Sequence, residues 1–136
     1  MKKPLFAFLP FLLWIVVIFV LLIMPARGNA PVFHIPHLDK LAHAFVFCVM
    51  VFLFGWPYRH QLFKRNSLKI FIVALLACVY GIAMEFVQKY ALTYPRSYDE
   101  WDMLADCIGA FAGFFAIRKV ILYFNEREVF KRENFS

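Results

Sequence analysis

Three side chains in this sequence sit where their presence carries a cost. His43, Glu85 and Asp106 each lie inside an otherwise apolar run, and an ionisable group in such a run is expensive unless it is paired or used. An imidazole among carboxylates is equipment for general acid–base chemistry, with His43 or Glu85 taking a proton and a neighbouring Asp returning one. These three are the catalytic candidates. They are also the candidate ligands for a divalent metal, the one cofactor their nitrogen and oxygen atoms suit. Their companions recur at helical spacing. Asp39 precedes His43 by four residues, Gln88 follows Glu85 by three, and Asp99, Asp102 and Asp106 share one stripe, since residues three and four apart face the same way. Gly81 stands one turn before Glu85 and leaves room beside the acid. Lys40 and Arg96 add cations suited to a phosphate or carboxylate on a ligand. Asp39, Lys40, Gln88, Arg96, Asp99 and Asp102 are therefore the candidate substrate-binding residues. Five acids face two fixed cations in this set, so protons, a metal or a basic ligand group must make up the balance.

The elements that position these residues are four apolar runs. The chain has 136 residues, 63% of them hydrophobic and 20% aromatic, with a mean hydropathy of +0.68. A soluble domain is nearer half apolar, and one this small cannot bury so much apolar surface. The expected fold is all-α: a polytopic membrane protein with four transmembrane helices in one bundle and a single membrane domain. The spans are expected at about 5–24, 38–57, 68–92 and 101–124, and residues 125–136 as a charged cytoplasmic tail. The first run is uncharged over twenty residues, the length of the hydrocarbon core and longer than the core of a signal peptide. Pro25, Pro31 and Pro36 keep the following loop out of helix. Gly109 and Gly113 form a G-x-x-x-G step that permits close helix approach.

Four spans put both termini on one side. That side holds eleven of the fifteen Lys and Arg residues, at positions 2–3, 59–69 and 118–132; Arg27, Lys40, Lys89 and Arg96 fall on the other. The positive-inside rule then places both termini in the cytoplasm and the 85–109 stretch outside. His43, Glu85 and Asp106 each fall roughly 7–10 Å below the outer boundary by helical rise. Three costly groups from three spans at one depth predict an outward-opening polar pocket. The inner halves of the spans lack ionisable residues, which argues against a transporter or proton path.

The same residues resemble a known family. Asp39-Lys40-Leu41-Ala42-His43 is similar to the D-K-x-x-H element of the VanZ-like proteins, Glu85-Phe86-Val87-Gln88 to their E-x-x-Q, and Arg96 to Gly109 to their R-x-x-D and D-x-x-A-[N/D]-x-x-G elements. The resemblance covers about residues 36–116. It departs at Asp106, where many members carry Asn, and at Phe47, where an aromatic hydroxyl is frequent. The family is associated with teicoplanin resistance. The resemblance implies a multi-pass protein of the bacterial inner (cytoplasmic) membrane with a role in the cell envelope, its pocket on the extracytoplasmic side; it supplies no reaction.

The function expected is action on, or binding of, a cell-envelope lipid, lipid-linked glycan or glycopeptide-type ligand. Catalysis and non-catalytic binding both fit the residue set. The alternative is a structural network, Arg96 with Asp99 and Lys40 with Asp39, that pins the helix ends. The lipid bilayer is the expected partner. The net charge of +6 lies between and after the apolar runs, which marks topology rather than nucleic-acid binding. Cys48, Cys78 and Cys107 show no C-x-x-C spacing and read as buried small hydrophobes. His34 and His37 read as loop residues, and Tyr94, Tyr98 and Trp101 as an interfacial aromatic rim.

Overall fold

The computed structural model describes residues 5–23, 38–61, 63–90 and 99–135, with the side chains of 63–65 and 131–135 left aside. All four described segments are helical. α1 (Leu9–Ile23) is preceded by a 3-10 turn at Leu5–Phe8; α2 (Leu38–Gly55) runs into a second 3-10 turn at Trp56–Tyr58; α3 is Phe63–Tyr90 and α4 is Glu100–Phe135. Taken with their 3-10 turns, all four are long and apolar enough to cross a membrane, the first as Leu5–Ile23.

The helices follow the order of the four apolar runs. The charged segment expected as a cytoplasmic tail continues α4 as helix to Phe135. No Gly or Pro follows Gly113, and Glu, Arg and Lys are good helix formers, so nothing stops it. At about 1.5 Å per residue α4 is roughly 54 Å long, more than a hydrocarbon core. Its start is well defined. Asp99 caps it, Oδ1 accepting the Trp101 backbone N–H at 2.9 Å, and Glu100 and Asp102 place negative charge in the first turn, where the helix dipole favours it.

α2 and α4 share the largest interface, and small residues make it close. A Cβ on Gly109 would stand 2.0 Å from the Ala44 carbonyl oxygen, and one on Gly113 would stand 2.3 Å from that of Cys48. The two glycines of α4 thus receive the backbone of α2 at positions four residues apart. Further along, Gly55 of α2 receives Ile117 of α4. Phe47, Val51, Ile70, Ala74, Ile117 and Ile121 fill the core behind this seam.

α1 packs more loosely, with apolar side chains such as Leu9, Leu13, Val16 and Leu21 exposed. A helix apolar on every side has lipid as its natural neighbour. It is tied to the bundle by polar atoms: the Trp14 indole donates to the Val46 carbonyl at 2.8 Å, and the Gln88 amide donates to the Leu22 carbonyl at 2.7 Å. Leu22 lies in the last turn of α1, where a carbonyl lacks an intrahelical partner.

Candidate functional site

The end of α3 and the starts of α2 and α4 lie together, because successive helices alternate direction. His43 is five residues in from Leu38, Glu85 five residues before Tyr90, and Asp106 six residues after Glu100. All three are buried, at 6%, 2% and 1% exposure.

His43 Nδ1 lies 2.9 Å from Asp106 Oδ1. An ionised carboxylate only accepts, so with Asp106 charged Nδ1 carries the proton and donates it, which leaves Nε2 as the open nitrogen. The far oxygen of Asp106 reaches toward α3, where a Cβ on Gly81 would come within 2.5 Å of it. The room expected beside Glu85 is thus room taken by Asp106. Glu85 lies close enough to His43, Asp102 and Asp106 to act on them electrostatically. Its Oε2, like Asp106 Oδ2, is buried with no hydrogen-bond partner among the described residues.

Lys40 bridges to α4. Its ammonium lies 2.5 Å from Asp99 Oδ2 and 2.9 Å from Asp102 Oδ1. This corrects the pairing of Lys40 with Asp39 expected from sequence. Adjacent residues on a helix point about 100° apart and do not face each other, so Lys40 turns to the neighbouring helix. The Lys40 ammonium, and then the Trp101 N–H, hold the Asp99 carboxyl below its ordinary value of 3.8.

Asp39 is exposed at the rim, yet it, His43 and Asp102 each offer a ligand atom within 4.8 Å of one another. Among the described residues this trio could hold a metal ion. Of the set expected from sequence, His43, Glu85 and Asp106, His43 belongs to it and Asp106 sits on His43 Nδ1. Beside Asp39 and His43 a cleft of about 200 Å³ opens toward α1, walled by Ile18, Leu22 and Val46. Gln88, expected to bind substrate, gives its amide N–H to α1. Arg96, Tyr94, Tyr98, His34 and His37 lie outside the described residues; Trp101 is exposed.

A second polar group at the opposite end went unread in the sequence. The buried Asn66 donates to Gln61 Oε1 at 2.9 Å, Asn125 donates to the Gln61 carbonyl at 3.2 Å, and His60 meets Glu128 at 3.2 Å. Its signal was an Asn just before one apolar run and another just past the end of the next. It ties the loop after α2 to α4.

These features define a bundle of four helices, each long and apolar enough to cross a membrane, with a buried acid–histidine cluster at one end. Over 91 residues the chain is 35% identical to an uncharacterized protein of the fission yeast Schizosaccharomyces pombe, a match that takes in 66% of this chain and 53% of the relative. The chain thus spans about half the length of that relative. No family profile matches the chain, and no solved structure does.

Proposed function

We propose that this chain is a multi-pass membrane protein whose acid–histidine cluster binds, and acts on, the polar head of a lipid or lipid-linked molecule. The observation that carries it is the buried His43–Asp106 pair, with Asp106 Oδ2 and Glu85 Oε2 partnerless among the described residues. Buried polar atoms are almost always satisfied, so orphans at one place favour a partner from beyond the described residues, and a bound ligand is that partner in this reading. His43 Nε2 is the general base of this reading, Asp106 its orienting partner, and Glu85 a second proton carrier. Lys40 and Arg96 receive the anionic part of the ligand, and the apolar wall of the cleft receives its chain. The charge distribution of the loops supports cytoplasmic termini and a cluster on the opposite, extracytoplasmic side.

The VanZ-like resemblance supports the same reading, because the described residues that carry it, such as Lys40, His43, Glu85, Asp102 and Asp106, lie at one end of the bundle. A bacterial inner membrane and a glycopeptide-type ligand rest on that resemblance alone; the relative in a fission yeast favours a headgroup chemistry not confined to bacterial envelopes.

The second reading is structural. Lys40 and His43 both bond from α2 to α4, so the cluster also works as interhelical glue. Glu85→Gln and Asp106→Asn separate the two, since each keeps the shape and removes the charge. In nanodiscs, a lipid bearing a terminal phosphate is expected to bind wild type and to be lost by folded variants. Variants that retain binding, or that fail to accumulate in the membrane at all, would leave only the structural role. An impermeant thiol reagent labelling Trp101→Cys from the cytoplasmic side would reverse the topology.

A further inference from the structure

We propose that Asp39, His43 and Asp102 form a site for a first-row divalent cation, open to the cleft between α1 and α2. This rests on the reading of that end of the bundle as a ligand site, and it names the ion that the site takes.

The three ligand atoms lie within 4.8 Å of one another. A tetrahedral ion with bonds of about 2.0–2.2 Å holds its ligand atoms roughly 3.3–3.6 Å apart, so the side chains close on it by up to about 1.5 Å. The imidazole is already set for the task. Metal-binding histidines give their other ring N–H to a carboxylate, which fixes the tautomer and raises the basicity of the ligating nitrogen; Asp106 does this for His43 at 2.9 Å. The Asp39 carboxylate stands one helical turn from His43 on the same face. Lys40 occupies Oδ1 of Asp102 and leaves Oδ2.

A second observation points to a cation independently of the trio. Glu85 is 2% exposed, and its Oε2 has no partner among the described residues. It acts electrostatically on Asp102, a member of the trio, and on His43 and Asp106. Among the described residues the acids at this end thus outnumber the Lys40 ammonium, which reaches Asp99 and Asp102, and a divalent cation would restore the balance.

The donor set chooses the ion. One imidazole with two carboxylates suits Zn²⁺ or Mn²⁺, whereas Ca²⁺ takes six to eight oxygens. Three protein ligands with an open side are the arrangement that leaves a position for a ligand oxygen. The cleft of about 200 Å³ lies on that side. A cation there would polarise a phosphoryl oxygen of a headgroup.

The test uses the full chain in nanodiscs, stripped with chelator and titrated with Zn²⁺ by calorimetry and with Mn²⁺ by electron paramagnetic resonance. One ion per chain is expected. Asp39→Asn, a rim change compatible with folding, and Asp102→Asn are each expected to weaken binding at least tenfold. Asp106→Asn is expected to weaken it about 10–100-fold through the histidine, and Glu100→Gln to leave it unchanged. The proposal is overturned if the folded wild type binds neither ion, or if Asp39→Asn and Asp102→Asn bind as wild type does. Ion binding without lipid-phosphate binding would uphold the cation site and remove the headgroup reading; lipid-phosphate binding by a chain that takes no ion would do the reverse.

Discussion

Gly81 of α3 and Asp106 of α4 share the space of one side chain, since a Cβ at Gly81 would stand 2.5 Å from the Asp106 carboxylate. The acid that orients His43 is therefore held in place by a missing methyl group on another helix. Gly81→Ala must push Asp106 aside or part the helices. Overpacking of this kind costs about 1–3 kcal/mol. The expected outcome is a folded bundle with a lowered melting temperature and an altered His43 imidazole resonance. A resonance identical to wild type would show that Asp106 does not depend on this space.

Gly109 makes a harder contact, because the obstruction is the Ala44 carbonyl and not a mobile side chain. Gly109→Ala and Gly113→Ala are expected to destabilise the bundle more than Gly81→Ala, by about 3 kcal/mol or more, beyond ordinary overpacking since backbone must shift. Ala112→Val, at an exposed position of the same helix, should change stability by less than about 0.5 kcal/mol. Thermal unfolding in detergent measures all three. Equal effects at Gly109 and Ala112 would contradict the close α2–α4 seam.

Lys40 and Asp99 predict a dependence on pH with a definite sign. The Lys40 ammonium lowers the Asp99 carboxyl below 3.8 in the folded state. A lowered folded value means that the contribution to stability is complete above the unfolded value of 3.8 and is lost as pH falls through the folded one. Asp99→Asn keeps a capping oxygen for α4 and removes the charge, so it should flatten the acid limb while leaving neutral-pH helicity intact. Circular dichroism between pH 2 and pH 7 reads both. Because the pair is half exposed, added salt should reduce its effect.

Gln88 offers a test confined to α1. Its hydrogen bond to the Leu22 carbonyl contributes about 0.5–1.5 kcal/mol. Gln88→Leu is expected to loosen α1 while α2, α3 and α4 stay packed. A cysteine pair across α1 and α3 should crosslink more slowly in this variant, and one across α2 and α4 at the wild-type rate. Slowing of both would make Gln88 part of the whole bundle's support.

Much of the site was legible because helical geometry is local. The stripe Asp99, Asp102, Asp106 and the pair Asp39, His43 follow from three- and four-residue spacing, and the depth of His43, Glu85 and Asp106 from counting residues to the nearest span end. The partners were not legible. Lys40 looked like the neighbour of Asp39 and is the bridge to Asp99 and Asp102. Gln88 looked like a ligand-facing amide and serves a carbonyl on α1. The rotation of one helix against another decides such pairings, and it depends on side chains far along the chain.

The sequence by itself determined four helices, their order, and which face of each carries the acids, because hydrophobic runs and the 3.6-residue period are properties of each segment alone. Only the tertiary structure decided that Asp106, not Glu85, takes the His43 Nδ1, and that Asp39 and Asp102 stand with the imidazole as a trio. The reason is the seam at Gly109 and Gly113. Without a Cβ at those two positions α4 lies against the backbone of α2, and that approach brings the two acid-bearing faces within bonding distance.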